Sequence, residues 1–216
     1  MKKSAIILAG GSSSRFNSDK GVVELAGKPL LNYVVNAVEG LVDEIVVVTS
    51  SQERSDVYSK LVFSSKMRFA VDEYDSKGPL IGALTGFKSV NGEYTLLLPV
   101  DTPFVSREVL SLLFESCIGK AATVPRWTGN EIEPLHAVYR TKEALKAAEE
   151  AFVQGEVDMQ ALVNRLRGVR YISTLVIEQL DPDLRTFFNV NTALDLKKAA
   201  TMIKHGKTRK ASKQKS

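Results

Sequence analysis

Five short apolar runs, largely β-branched, punctuate the first part of the chain: Ala5–Leu8, Glu44–Thr49, Arg68–Val71, Tyr94–Val100 and Ala121–Pro125. Little along them alternates apolar with polar. A strand of that kind is buried on both faces, which is the habit of parallel sheets covered by helices. The intervening segments agree. Leu30, Leu31, Val34, Val35 and Val38 recur at helical spacing behind Pro29, a residue suited to a helix's first turn. Gly78–Val90 reads as a helix opened by Gly-Pro, and Ser106 caps another that runs to about Cys117. Alternating strand and helix predicts an α/β fold of three layers with one mostly parallel sheet.

The pattern changes after Pro125. Trp127-Thr128-Gly129-Asn130 reads as a turn, with Glu133–Tyr139 a strand returning from it. That strand makes the sheet mixed. Helices over Lys142–Phe152 and Asp158–Leu166 follow, then strands at Val169–Ile172 and Phe187–Asn189 and a last helix from Thr192. Thr192 and Asp195 have the spacing of a capping box. A single domain over residues 1–203 is expected, its N-terminal half serving a nucleotide and its C-terminal half an acceptor.

Charge separates the last residues from the rest. Lys204, Lys207, Arg209, Lys210, Lys213 and Lys215 carry six of the 29 basic residues with no acid among them, leaving 23 basic against 25 acidic in the body. Residues 204–216 are therefore expected to be a solvated, disordered tail. The tail lacks an aromatic residue to stack on a base, so a nucleic-acid partner is not expected. Cys117 is the one cysteine, which excludes an intrachain disulfide and a cysteine-bound zinc. Ala5–Ala9 is too short for the apolar core of a signal peptide, and no run has the roughly 20 apolar residues of a membrane span. These features point to the cytoplasm.

Three segments carry chemistry. Leu8-Ala9-Gly10-Gly11-Ser12-Ser13-Ser14-Arg15 and, five residues on, Lys20 take a buried strand into paired glycines, three hydroxyls and two cations. Glycines let main-chain N–H groups approach an anion; arginine offers a planar fork and lysine a mobile point charge. Neither Gly-x-Gly-x-x-Gly nor a P-loop occurs. By its glycines and serines alone the loop reads equally as a flexible linker, and the two cations favour a polyphosphate. In the second segment Asp72 precedes Gly78-Pro79-Leu80-Ile81-Gly82. Taken alone, Asp72 is a solvated loop carboxylate. The third places Asp101 between Pro99 and Pro103 at the end of an apolar strand, where it is expected to be exposed. It is either a turn-capping aspartate or a hard-oxygen ligand for Mg²⁺, and its strand-end position favours the metal.

Leu-Ala-Gly-Gly-x-x-x-Arg-x-x-x-x-Lys is similar to the signature of nucleotidyltransferases that join an NTP to a phosphorylated small molecule. With Asp19-Lys20-Gly21 and Leu25-Ala26-Gly27-Lys28-Pro29-Leu30-Leu31, the chain resembles the molybdenum cofactor guanylyltransferases. Phe16-Asn17 stands where that family commonly has Met-Gly. The resemblance runs from about Lys3 to Lys197 and implies a Rossmann-like nucleotidyltransferase fold. It implies GTP binding by Leu8, Ala9, Gly10, Gly11, Lys20, Asp72, Gly78 (with Pro79) and Asp101, catalytic roles for Arg15, Lys20 and Asp101, and Mg²⁺ on Asp101. Pro134-Leu135-His136-Ala137-Val138-Tyr139 and Asn189-Val190-Asn191-Thr192 match the family's later blocks, which implies acceptor binding by His136, Asn189 and Asn191. On residue chemistry alone, His136 is a packed strand residue and Asn191 a helix cap.

The activity so implied is transfer of GMP from GTP to molybdopterin, releasing pyrophosphate. The implied partners are those substrates and, transiently, molybdoenzymes or other cofactor-biosynthesis proteins. Two alternatives stand beside it. One is an NTP transferase acting on a sugar phosphate, phospholactate or cobinamide phosphate. The other is a non-catalytic nucleotide- or RNA-binding protein.

Overall fold

The computed structural model describes residues 1–10, 19–62, 64–72, 74 and 78–213, with side chains to residue 205. Among these, the strands are β1 (Lys3–Leu8), β2 (Glu24–Leu25), β3 (Lys28–Pro29), β4 (Glu44–Thr49), β5 (Met67–Val71), β6 (Tyr94–Pro99), β7 (Ala122–Arg126), β8 (Ala137–Arg140) and β9 (Val169–Ser173). The helices are α1 (Leu30–Val38), α2 (Gln52–Leu61), α3 (Pro79–Ser89), α4 (Arg107–Cys117), α5 (Thr141–Val153), α6 (Met159–Arg165), α7 (Thr174–Ile177) and α8 (Ala193–Lys213).

A seven-stranded sheet runs β5-β4-β1-β6-β8-β7-β9, and β2 with β3 forms a separate hairpin. Strands β5, β4, β1 and β6 pair in parallel, as do β7 and β9. Only β8 is reversed, antiparallel to both β6 and β7. The mostly parallel, mixed α/β sheet is the one expected.

Alternation along the central strand divides the core. Ala5 and Ile7 face α1, α2 and α4, packing with Leu31, Val35, Tyr58, Val109 and Leu113. Ile6 faces α3 and α5 and meets Leu84, Phe87 and Ala148. Both faces of β1 are thus covered, so its sequence is continuously apolar. Helix α8 joins a smaller cluster with the β2–β3 hairpin, through Leu25, Leu30, Val190 and Ala199.

The hairpin strands β2 and β3 and the short helix α7 were not expected, and four further features differ from expectation. Helix α2 is additional: of its side chains only Ser55 and Tyr58 are buried, so it has no apolar stripe to read. The returning strand begins at Ala137 rather than Glu133, because residues 134–136 form a turn in which His136 N–H bonds Glu133 C=O at 3.0 Å. Phe187–Asn189 is not a strand. A 3₁₀ turn occupies Arg185–Phe187, held by the Thr186 N–H on the Asp181 carboxylate at 2.7 Å. Finally, the backbone of α8 stays helical to Lys213, into the segment expected to be disordered. Lysine, arginine and alanine favour helix, and cations suit a helix's C-terminal turn. Among the described residues no helix is long and apolar enough to cross a membrane.

Candidate functional site

The carboxyl ends of β1 and β6 leave the sheet side by side, with Leu8 opposite Pro99. The Val100 N–H donates to Leu8 C=O at 3.0 Å, and the Ala9 N–H to Val48 C=O at 2.8 Å. The glycine loop and the Asp101 turn therefore start from neighbouring points on one edge, where ligands bind open α/β sheets. Gly11 and Arg15 lie outside the described residues. Past them, Asp19 caps a 3₁₀ turn over Lys20–Val22 by accepting the Gly21 N–H. That turn directs Lys20 back over the edge.

Lys20 Nζ lies 2.7 Å from Asp101 Oδ2 and 2.5 Å from Asn191 Oδ1. The Asp101 carbonyl also accepts the Val190 N–H at 2.8 Å, which fastens the 189–191 segment to the end of β6. Three residues from distant parts of the chain thus meet at one ammonium group. Asp101 is not the exposed carboxylate expected of a strand end. It is 8% exposed, covered by the 190–191 segment and Lys20. Its Oδ1 is buried with no hydrogen-bond partner among the described residues.

Asp101 lines a cleft of about 410 Å³ with Pro79, Pro99, Glu133, His136, Asn189 and Asn191. The three proposed acceptor residues are therefore together, on the wall facing Asp101. Asn191 does not cap α8. Thr192 and Asp195 make the reciprocal box instead, with Thr192 N–H on Asp195 Oδ2 at 2.9 Å and Asp195 N–H on Thr192 Oγ1 at 3.2 Å. This leaves the Asn191 amide for Lys20. Asn189 donates from Nδ2 to the Phe187 carbonyl at 3.1 Å.

His136 is 2% exposed and packs edge-on against Phe187 at 5.3 Å between centroids. Its Nδ1 stands 3.7 Å from Glu133 Oε2, beyond hydrogen-bond distance, and among the described residues neither ring nitrogen has a hydrogen-bond partner. Burial alone would raise the Glu133 carboxyl. The interactions with His136 and the Trp127 indole outweigh it and hold the group below its usual range. The indole bond, Trp127 Nε1 to Glu133 Oε1, is 2.7 Å. Glu133 carried no signal in the sequence beyond its place before Pro134.

The Asp72 region sits apart from the lysine cluster. Asp72 continues the β4–β5 pairing through its N–H to Thr49 C=O at 2.8 Å. Its Oδ1 accepts from Thr85 Oγ1 at 3.2 Å and the Tyr74 N–H at 3.3 Å, so one carboxylate oxygen fastens α3 to the sheet's edge. Gly78 precedes α3 where a Cβ would stand 2.5 Å from the Val157 carbonyl oxygen, and that oxygen accepts the Leu80 N–H at 3.1 Å. The contacts of Gly78 are those of close packing at the helix start.

Among the described residues no group of three or more His, Cys, Asp or Glu is placed to hold a metal. Asp101 fits a different mode. One buried carboxylate oxygen without a partner is a hard ligand, and Mg²⁺ is commonly held by one or two carboxylates plus substrate phosphates.

The model of the MobA-like NTP transferase domain matches residues 5–169. The chain is 34% identical over 209 residues to a probable molybdenum cofactor guanylyltransferase of Methanosarcina mazei, covering 95% of this chain and 92% of that one. It is 32% identical to the molybdenum cofactor guanylyltransferase of Desulfosudis oleivorans, over 94% and 96% of the two. The crystal structure of molybdopterin-guanine dinucleotide biosynthesis protein A from Archaeoglobus fulgidus superimposes with a TM-score of 0.78 at 26% identity, covering 94% of this chain and 99% of that one. The sheet order, the strand-end aspartate and these likenesses agree, and the chain belongs to the MobA-like NTP transferase family.

Proposed function

We propose that the protein transfers GMP from GTP to molybdopterin and releases pyrophosphate. The observation that carries this reading is the meeting of Lys20, Asp101 and Asn191 at the mouth of a cleft, in a chain this similar to named guanylyltransferases. Lys20 follows the glycine loop assigned to the nucleotide and Asn191 belongs to the segment assigned to the acceptor, and their contact supports a reading in which the two substrates join there.

The acceptor's terminal phosphate attacks the α-phosphorus in line. A new phosphorus–oxygen bond forms as the α–β bridging bond breaks and pyrophosphate leaves with its electron pair. A phosphate monoester, with a second pKa near ~6, is already ionised at neutral pH, so the step needs no general base. The chain's contribution is orientation and charge. Lys20 neutralises charge on the transferred and leaving phosphates. Asn189, Asn191 and His136 hold the acceptor against them. Nucleotide binding falls to Leu8, Ala9 and Gly10 at the end of β1 and, by the sequence signature, to Gly11 and Arg15, and Asp72 and Gly78 support that side through α3. Mg²⁺, when bound at Asp101, supplies further neutralisation of phosphate charge.

Calorimetric titration with GTP, ATP, CTP and UTP in Mg²⁺ tests the assignment, followed by pyrophosphate release with molybdopterin. Selective GTP binding and acceptor-dependent release are expected. Preference for CTP or UTP would overturn the guanylyl assignment, and absence of nucleotide binding would overturn the activity itself.

A further inference from the structure

Helix α2 was invisible to periodicity because its inward-facing side chains are Ser55 and Tyr58. Its contacts show what it does instead. Arg54 Nη1 donates to the Gly10 carbonyl at 3.1 Å, and Arg54 Nε pairs with Asp19 Oδ2 at 3.2 Å. Gly10 and Asp19 are the residues that bracket the 11–18 segment of the glycine loop. One guanidinium therefore spans the loop's two ends. Tyr58, one turn further along α2, donates its hydroxyl to Asp19 Oδ1. Burial, together with the neighbouring Asp19 carboxylate, pushes the Tyr58 phenol well above its usual range, so it stays a donor.

The surroundings make this clamp rigid. Tyr58 is fully buried, and a Cβ on Gly21 would stand 2.5 Å from Tyr58 Cζ, so the 3₁₀ turn lies directly on the phenol ring. The start of α2 is fixed by Ser51, which accepts the Arg54 N–H at 3.3 Å. A buried 2.7 Å contact between Thr49 Oγ1 and Ser55 Oγ ties the helix to the end of β4. Asp19 is the neighbour of Lys20, so whatever holds the Asp19 carboxylate sets where the lysine leaves the chain.

We infer that Arg54 and Tyr58 are positioning residues for nucleotide binding, clamping both ends of the glycine loop through Gly10 and Asp19 so that Lys20 is delivered to the triphosphate. This rests on the nucleotidyl-transfer reading and adds to it a determinant outside every sequence motif of the site. An arginine suits the task because its rigid planar fork presents separate N–H donors to two acceptors at fixed geometry.

The test compares Arg54→Met, Asp19→Asn, their double variant and Tyr58→Phe. Losing a charge-assisted hydrogen bond costs enough to raise KM for GTP about tenfold in Arg54→Met and Asp19→Asn. KM for molybdopterin should rise by no more than about twofold, because the clamp reaches the acceptor wall only through the Lys20–Asn191 bond. The double variant should be no worse than about twofold beyond the poorer single, since both changes cut one link. Effects that multiply in the double variant would mean Arg54 meets the nucleotide itself, and would overturn the inference. So would an unchanged KM for GTP, or KM values for both substrates rising together.

Tyr58→Phe keeps the ring that fills the core and should raise KM for GTP a few-fold even if Arg54→Met does not fold. Tryptic cleavage after Arg15 reads the clamp without any substrate. Loosened loop ends should speed it severalfold in Arg54→Met and Tyr58→Phe, with other sites unaffected. Unchanged cleavage would overturn the clamp whatever the activity. A wild-type chain that transfers no GMP would refute the proposed function while leaving the proteolytic test intact.

Discussion

Replacing Lys20 by methionine removes the cation from a carboxylate that is already half satisfied. Asp101 Oδ2 is held by Lys20, and Oδ1 is buried with no partner among the described residues. The Asp101 side chain is 11% exposed and that of Lys20 20%. Breaking a fully buried pair by removing one member costs roughly 3–5 kcal/mol, because a charge is stranded out of water. Partial exposure of Lys20 reduces this to about 2 kcal/mol. With a urea dependence near ~2 kcal/mol/M for a domain of this size, the midpoint should fall by about 1 M. Asp101→Asn leaves the Lys20 ammonium without its counter-ion, but that group is the more exposed of the two and keeps Asn191. It should shift the midpoint by less than about 0.5 M. The double variant Lys20→Met/Asp101→Asn should recover most of the loss, because the orphaned charge is gone. All three variants should transfer GMP at less than about a hundredth of the wild-type rate. Urea unfolding followed by circular dichroism, with a pyrophosphate assay alongside, gives both readings. If the double variant is as unstable as the sum of the singles, the pair does not hold Asp101 as described.

Two further expectations concern the sheet and the acceptor wall. Burial would raise the Glu44 carboxyl, but hydrogen bonds from Ser4, from the Asn91 main-chain and side-chain amides, and from Arg68 outweigh it and hold it at about 2. Its folded value lies below the unfolded one, so its stabilisation is full above about pH 4.5 and is lost as pH falls towards 2; urea midpoints of Glu44→Gln should fall less steeply between pH 5 and 2 than wild type's, parallel profiles counting against the assignment. Asn189 bonds within its own loop and Asn191 holds Lys20. Asn189→Ala should therefore raise KM for the acceptor alone, whereas Asn191→Ala should raise it for both substrates by about fivefold; identical profiles would refute that division.

The strands were legible because burial on both faces leaves an uninterrupted apolar run, as in β1 and β6. Helix α1 was legible because five apolar residues share one face. Helix α2 was not, since it faces the sheet with a serine and a tyrosine whose value lies in polar contacts. The site divides the same way. Lys20, Asp101, His136, Asn189 and Asn191 stand in spaced blocks, and the structure gathers them. Arg54, Tyr58 and Glu133 act through contacts across the fold that no local pattern encodes. The burial of Asp101 was illegible for a related reason. The segment that covers it lies about ninety residues later and is fastened by one main-chain bond from Val190.

The reversed strand explains why the proposed acceptor wall lies where it does. A parallel strand beside β6 would begin at the sheet's amino edge, far from Asp101. Strand β8 runs the other way, with Ala137 opposite Leu97 and Arg140 opposite Tyr94. Its amino end therefore lies towards the carboxyl end of β6, and the 133–136 turn that feeds it opens beside Asp101. Trp127 then fixes that turn from the preceding hairpin by holding Glu133. The parallel half of the sheet places the glycine loop at the edge, and one antiparallel insertion brings the Glu133–His136 turn to the same edge. The two meet at one edge of one sheet because a single strand changes direction.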